Sequence, residues 1–150
     1  MALVASKRDL LKAFQKHKAC YEALGGGFDR CRRMVLFYAV ETGLKYYLLT
    51  KIQKNTTEEL TQHRDFVDKV KNGHNIRGML KWANMESQYK LASVRCKNGA
   101  TAEPSQYHEI WRYGMDINDA SDEERIEMVL CSVMEYLEGN ILQNRVRRRS

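Results

Sequence analysis

Met34-Val-Leu-Phe-Tyr-Ala-Val-Glu-Thr-Gly-Leu-Lys-Tyr-Tyr-Leu-Leu49 is the longest apolar run of the chain. Met34, Phe37, Tyr38, Leu44 and Leu48 mark one helical face, and Val35, Ala39, Val40 and Tyr47 fill most of the rest. A helix that is apolar nearly all round is a buried helix with neighbours on several sides. The run is too short for a membrane span and carries charge at its centre. That charge is Glu41 and Lys45, at i and i+4, with Glu in the favourable N-terminal place. A carboxylate in a buried helix needs a partner. The pair reads as a self-satisfied structural ion pair. The sharper reading has Glu41 and Lys45 facing a cleft between helices.

Working outward, Ser6-Lys-Arg-Asp9 resembles a capping box, and Leu10, Leu11, Phe14, Lys18 and Tyr21 follow on one helical face. Gly25-Gly-Gly27 ends that helix, and Asp29 is expected to cap the central one, which should run to about Lys54. The glycine run is no phosphate loop, because it follows a helix and lacks a downstream Lys-Ser/Thr. Asn55-Thr-Thr57 recaps the chain. Leu60, Phe66, Val67 and Val70 predict a weak surface helix ending at Asn72-Gly73. Asn75 is a good N-cap for a helix through Ile76, Met79, Leu80 and Ala83, expected to continue to about Val94. A loop over 97–105, a short helix over 106–112 and a break at Tyr113-Gly114 come next. Ser121-Asp-Glu-Glu124 reads as a capping box for a last helix striped by Ile126, Val129, Leu130, Val133, Leu137 and Ile141. No apolar/polar alternation predicts a strand, so the fold class is all-α.

The 150 residues read as one domain over 1–144 with a basic tail over 145–150. The net charge is +6, and Arg145, Arg147, Arg148 and Arg149 supply four of the positive charges. A second basic cluster lies between Lys7 and Arg33. Such a tail can touch nucleic-acid phosphates, but without interleaved aromatics it reads as a solvated, frayed terminus. Cys20, Cys31, Cys96 and Cys131 have no metal-ligand spacing, and no metal or cofactor is expected. Cys31 and Cys131 read as small hydrophobes in helices. The N-terminal apolar stretch is too short for a signal peptide, so the expected compartment is the cytoplasm, with no membrane partner.

Three stretches resemble the HEPN family of small helical domains. Phe37-Tyr-Ala-Val-Glu-Thr-Gly-Leu-Lys45 looks like the family's central-helix pattern. Gly73-His74-Asn75-Ile76 with Leu80 is similar to its Gly-His-Asp-Leu helix entry, with Asn75 where Asp is usual. Arg112-Tyr-Gly-Met-Asp116 is similar to its Arg-Tyr-x-x-Asp segment. The resemblance covers residues 30 to 143 and implies an up-and-down bundle of four or five helices. It also implies a prokaryotic defence or toxin–antitoxin setting, anti-phage systems included.

Catalytic members of that family are metal-independent endoribonucleases that carry Arg, four to six residues, then His. This chain departs from the motif: Ile117, Asn118 and Asp119 stand where His belongs. The resemblance therefore implies first a non-catalytic module that binds a protein partner or a nucleotide or RNA. A diverged endoribonuclease is the alternative, using Arg112 with His108, which precedes it by four residues, or with Asn118. A small helical subunit of a nucleic-acid effector complex is a further one. A ligand or phosphate groove would comprise Glu41, Lys45, Arg112, Tyr113 and Asp116, with a base stacking on Tyr113 or Trp111. Arg112 and Asp116 can also bridge one another across the Gly114 turn. His17 and His63 read as surface residues, and His74 as packing or satisfying a turn. Tyr107, Trp111, Tyr113 and Met115, flanked by Trp82, Met85 and Tyr89, have the composition of an interface centre. They suit a homodimer or a related helical partner. The other reading is that they close the open end of the bundle.

Overall fold

A computed structural model describes the backbone of residues 3–149 and the side chains of residues 3–144. The first helix, α1 (Lys7–Ala23), opens on a closed capping box. Asp9 N–H donates to Ser6 Oγ at 3.0 Å, and Ser6 N–H donates to the Asp9 carboxylate at 2.9 Å. Gly27, at φ +92°, turns the chain into α2 (Asp29–Ile52). The cap of α2 differs from expectation. Phe28 holds the N-cap position, and Asp29 sits inside the first turn, where its charge suits the helix dipole.

The central run is buried as its pattern requires. Leu36, Phe37, Ala39, Val40, Leu44, Leu48 and Leu49 are fully enclosed. Each such large side chain contributes about 1.5–3 kcal/mol relative to exposure. Helices α1, α4 (Ile76–Trp82), α5 (Tyr107–Arg112) and α6 (Ala120–Arg149) pack around α2, which makes the fold an all-α bundle. Gly43 lets the long helices close on one another: a Cβ there would lie 2.9 Å from Leu137 of α6 and from Phe14 of α1.

Polar groups lock α6 onto α1 and α2. Arg33 bridges Glu123 and Glu127, and the Tyr21 hydroxyl donates to Glu127 at 2.7 Å. The Arg32 guanidinium lies over the Tyr21 ring, 4.7 Å from its centroid. The start of α6 corrects the expected capping box. Asp119 is the cap, its carboxylate accepting from both the backbone N–H and the hydroxyl of Ser121. A carboxylate two residues before Ser121 wins because it accepts both donors at once. The backbone of α6 stays helical through Arg149, whereas the basic side chains from residue 145 onward lie outside the described residues.

The middle of the chain departs most from expectation. The surface helix expected after Thr57 is split into α3 (Thr57–Gln62) and a π-helical turn (Phe66–Val70), broken by extended backbone at His63. His63 is not a plain surface residue, since its ring lies 5.1 Å from that of Trp82. Helix α4 ends at Trp82, and Asn84, at φ +60°, turns the chain away. It does not reach Val94. Leu91, Val94 and Cys96 are themselves buried, so the chain must double back over the core instead of running past it. It does so in a small hairpin of β1 (Val94–Arg95) and β2 (Thr101–Ala102), with Val94 opposite Ala102. The Asn98-Gly99 pair between them is the hairpin signal that an all-helical reading passes over. Cys31 is exposed, not a core residue. Among the described residues no helix is long and apolar enough to cross a membrane.

Candidate functional site

Four segments bring their side chains together beside the middle of α2. That helix offers Phe37, Tyr38, Glu41 and Lys45, one turn after another along one side. Helix α5 offers His108 and Arg112, again one turn apart. The entry to α4 offers His74, and α1 offers His17.

Glu41 is buried, with 7% of its surface exposed. It is not satisfied by Lys45 alone. Lys45 Nζ lies 3.3 Å from one carboxylate oxygen, and His74 Nδ1 lies 2.6 Å from the other. A carboxylate accepts, so His74 Nδ1–H donates, and in the neutral ring the lone pair is on Nε2. The His74 ring stacks on His108 with centroids 4.4 Å apart. His108 is 3% exposed and also packs against Phe37, at 5.1 Å. Arg112 donates to His108 Nδ1 at 2.8 Å and to the Tyr38 hydroxyl at 2.8 Å. Because guanidinium only donates, Nδ1 of His108 is an acceptor and its proton resides on Nε2. The His17 ring is 5.9 Å from that of Tyr38.

The loop that carries His74 is held tightly. Lys71, at φ +68°, turns the chain out of the π-helical turn. His74 N–H then donates to Asn72 Oδ1 at 2.7 Å. Asn75 accepts from Gly78 N–H at 3.0 Å, the cap expected of it, and donates to the Val70 carbonyl at 2.8 Å. Positive φ at a lysine costs energy, and such costs persist where the surroundings over-determine the backbone.

Other expected site residues are distributed differently. Asp116 bonds Arg30, not Arg112, and Arg30 also donates to the Met115 carbonyl at 3.1 Å. Asn118 is engaged through its backbone with Arg95, and Arg112 takes Tyr38 and His108 as partners. Tyr107 and Trp111 are buried within the chain, as are Trp82 and Met85. These four side chains close the bundle and are enclosed by the chain itself. Trp111 Nε1 is buried without a hydrogen-bond partner among the described residues. Tyr113 remains 65% exposed, with Arg112 5.8 Å from its ring centroid, and Met115 is half-buried. The residues that sequence reasoning missed are His74, Tyr38 and His17. His74 stood inside the Gly-His-Asn-Ile stretch, but nothing in the sequence placed it against Glu41, thirty-three positions away. Among the described residues, no group of three His, Cys, Asp or Glu side chains stands together to hold a metal ion.

No family model matches this sequence, and no curated protein or solved structure matches it.

The electrostatics of the cluster predict a pH response. Burial lowers the pKa of His108 below 6.5, with the neighbouring His74 and Arg112 adding to it. Burial likewise lowers that of His17, against the opposing field of Glu41. A histidine whose folded pKa is depressed contributes stability above its unfolded value, and that stability is lost as pH falls through the folded value. Urea unfolding should therefore show stability declining from about pH 6.5 downward, before carboxylates protonate. A flat profile between about pH 7.5 and about pH 5.5 would mean that both rings accept protons in place.

Proposed function

We propose that this chain is a metal-independent endoribonuclease built on an HEPN-like bundle. The observation that supports this best is the continuous array Glu41–His74–His108–Arg112. It joins a carboxylate-oriented histidine to a phosphate-seeking cation through the intervening ring of His108. The protein's own side chains then supply what RNA transesterification needs. His74 Nε2 takes the proton of a 2′-hydroxyl, and the 2′-oxygen attacks the adjacent phosphorus. Arg112 neutralises the charge that grows on the phosphoryl oxygens. The 5′-oxygen leaves with a proton taken from water, and a 2′,3′-cyclic phosphate remains. His108 holds Arg112 through Nδ1 and supports the His74 ring. In this reading the histidine precedes the arginine, the reverse of the family's usual order.

Incubation of the purified chain with total RNA and a chelator tests the proposal. Cleavage leaving cyclic phosphate ends is expected, and Arg112→Ala should lower the rate by about 10²–10³-fold. The second reading, a binding module without catalysis in a defence or toxin–antitoxin setting, draws on the burial of His108. RNA binding without cleavage, under conditions that leave the fold intact, would favour it.

A further inference from the structure

Between Tyr89 and β1 the chain runs without turn or bend over residues 90–93. Leu91 and Val94 anchor it in the core, and the Tyr107 hydroxyl donates to the Ala92 carbonyl. Among the described residues, that is the one hydrogen bond made by the backbone of Lys90, Leu91, Ala92 and Ser93. Downstream the chain is paired on two sides. Val94 lies opposite Ala102 in β2, and Asn118 N–H donates to the Arg95 carbonyl at 2.8 Å. An unpaired surface segment is ordinary when it is a loose loop. This one is anchored, and Lys90, Leu91 and Ala92 line two hollows. One, of about 530 Å³, is shared with Arg77 and Glu86, and the other, of about 150 Å³, with Asp122, Arg125 and Val129. The carboxylates there are engaged: Arg77 lies 3.6 Å from Glu86, and Arg125 lies 3.3 Å from Asp122. Lys90, Arg95 and Lys97 are exposed cations with no ionic partner among the described residues.

We infer that the backbone of residues 90–93 is a docking edge for an extended acidic peptide segment of a partner protein, which adds to it as a strand and sets side chains in the adjoining hollows. Strand addition draws affinity from main-chain hydrogen bonds and selectivity from pockets for alternate side chains. The unpaired cations Lys90, Arg95 and Lys97 favour a partner with carboxylates. A second copy of this chain, paired edge to edge, would bring the same cations against one another, and lysine on an open edge ordinarily opposes such pairing. A nucleic acid would suit the cations, but its backbone has no row of N–H groups to meet the open carbonyls.

The probe is a short fluorescent peptide of alternating valine and glutamate. Two controls accompany it: the same peptide N-methylated at alternate residues, which removes donors, and a valine–lysine counterpart. Fluorescence anisotropy measures their binding to wild type and Lys90→Glu, and amide hydrogen exchange follows residues 90–93. Thermal melts confirm that the variant is folded, and the N-methylated peptide tests strand pairing on wild type alone. The amides of residues 90–93 should exchange with little protection in the free chain. The valine–glutamate peptide should bind in the micromolar range and slow their exchange about ten-fold or more. Both control peptides should bind about ten-fold more weakly, and Lys90→Glu should lose a similar factor for the acidic peptide. Protected amides in the free chain would overturn the inference, as would absent binding of the acidic peptide or equal binding of either control. It is likewise overturned if single-stranded RNA protects these amides where the peptide does not, or if light scattering shows a dimer whose formation protects them.

Discussion

Replacing His74 with alanine is expected to lower RNA cleavage by about two to four orders of magnitude. Its two ring nitrogens have different roles. Nδ1–H is committed to Glu41 at 2.6 Å, which fixes the tautomer and the ring plane. Nε2 is then the basic atom, on a side chain that is 46% exposed and so reachable by a substrate. His108 cannot take this place, since its Nδ1 receives Arg112 and its surface is enclosed. The substitution should leave the fold largely intact, because Glu41 keeps Lys45 and the removed ring lies at the surface. Added imidazole should restore part of the lost rate by entering the space that the ring vacates. That rescue separates a chemical role from a structural one. A His74→Ala protein that cuts RNA at the wild-type rate would assign the Glu41–His74 contact to structure alone and move the base elsewhere.

The helical framework was readable because its signals are local. The apolar run from Met34 to Leu49 has no exposed face to offer, and α2 is accordingly wrapped by α1, α4, α5 and α6. Ser6 and Asn75 cap helices as their side chains demand. Where two local signals compete, the pattern alone does not decide. Ser121 looks like a cap, but the carboxylate of Asp119 satisfies Ser121 itself. The hairpin at Val94–Ala102 escapes for a different reason. Its strands are two residues long, too short to show alternation, and its pairing follows from the need to bury Leu91, Val94 and Cys96.

The site was half legible. His108 and Arg112 share a helical face by spacing alone, and their contact follows directly from it. Glu41 and Lys45 do likewise. What joins the two pairs is His74, which belongs to neither helix, and its reach to Glu41 depends on the π-helical turn and the positive φ of Lys71. No periodicity encodes that geometry. The aromatic residues around Arg112 show the converse. Composition marks Tyr107, Trp111 and Tyr113 alike, and only packing separates the two that close the core from the one left open.

Replacing Glu41 with alanine is expected to destabilise the protein by about 3 kcal/mol, the largest effect on folding among the site residues. Its carboxylate is 7% exposed and is the shared acceptor for Lys45 and His74. The two donors fare differently without it. The His74 side chain is 46% exposed and can turn to water at small cost. The Lys45 side chain is only 17% exposed, and its ammonium sits so close beneath Gly73 that a Cβ there would lie 3.3 Å from Nζ. An ammonium held in that place with no anion carries most of the penalty. The same charge balance sets the behaviour of two further variants. Glu41→Gln keeps the shape and an acceptor oxygen, so its cost should be about 1–2 kcal/mol. Glu41→Ala combined with Lys45→Met removes the stranded charge and should recover much of the stability lost in Glu41→Ala alone. Denaturant unfolding of wild type, Glu41→Ala, Lys45→Met and the double variant gives the cycle directly. If Glu41→Ala unfolds at the wild-type midpoint, Lys45 reaches solvent freely and the pair is a screened surface contact. If the double variant is no more stable than Glu41→Ala, the loss comes from the vacated carboxylate volume and from His74, and the charge argument fails while the packing of α2 stands.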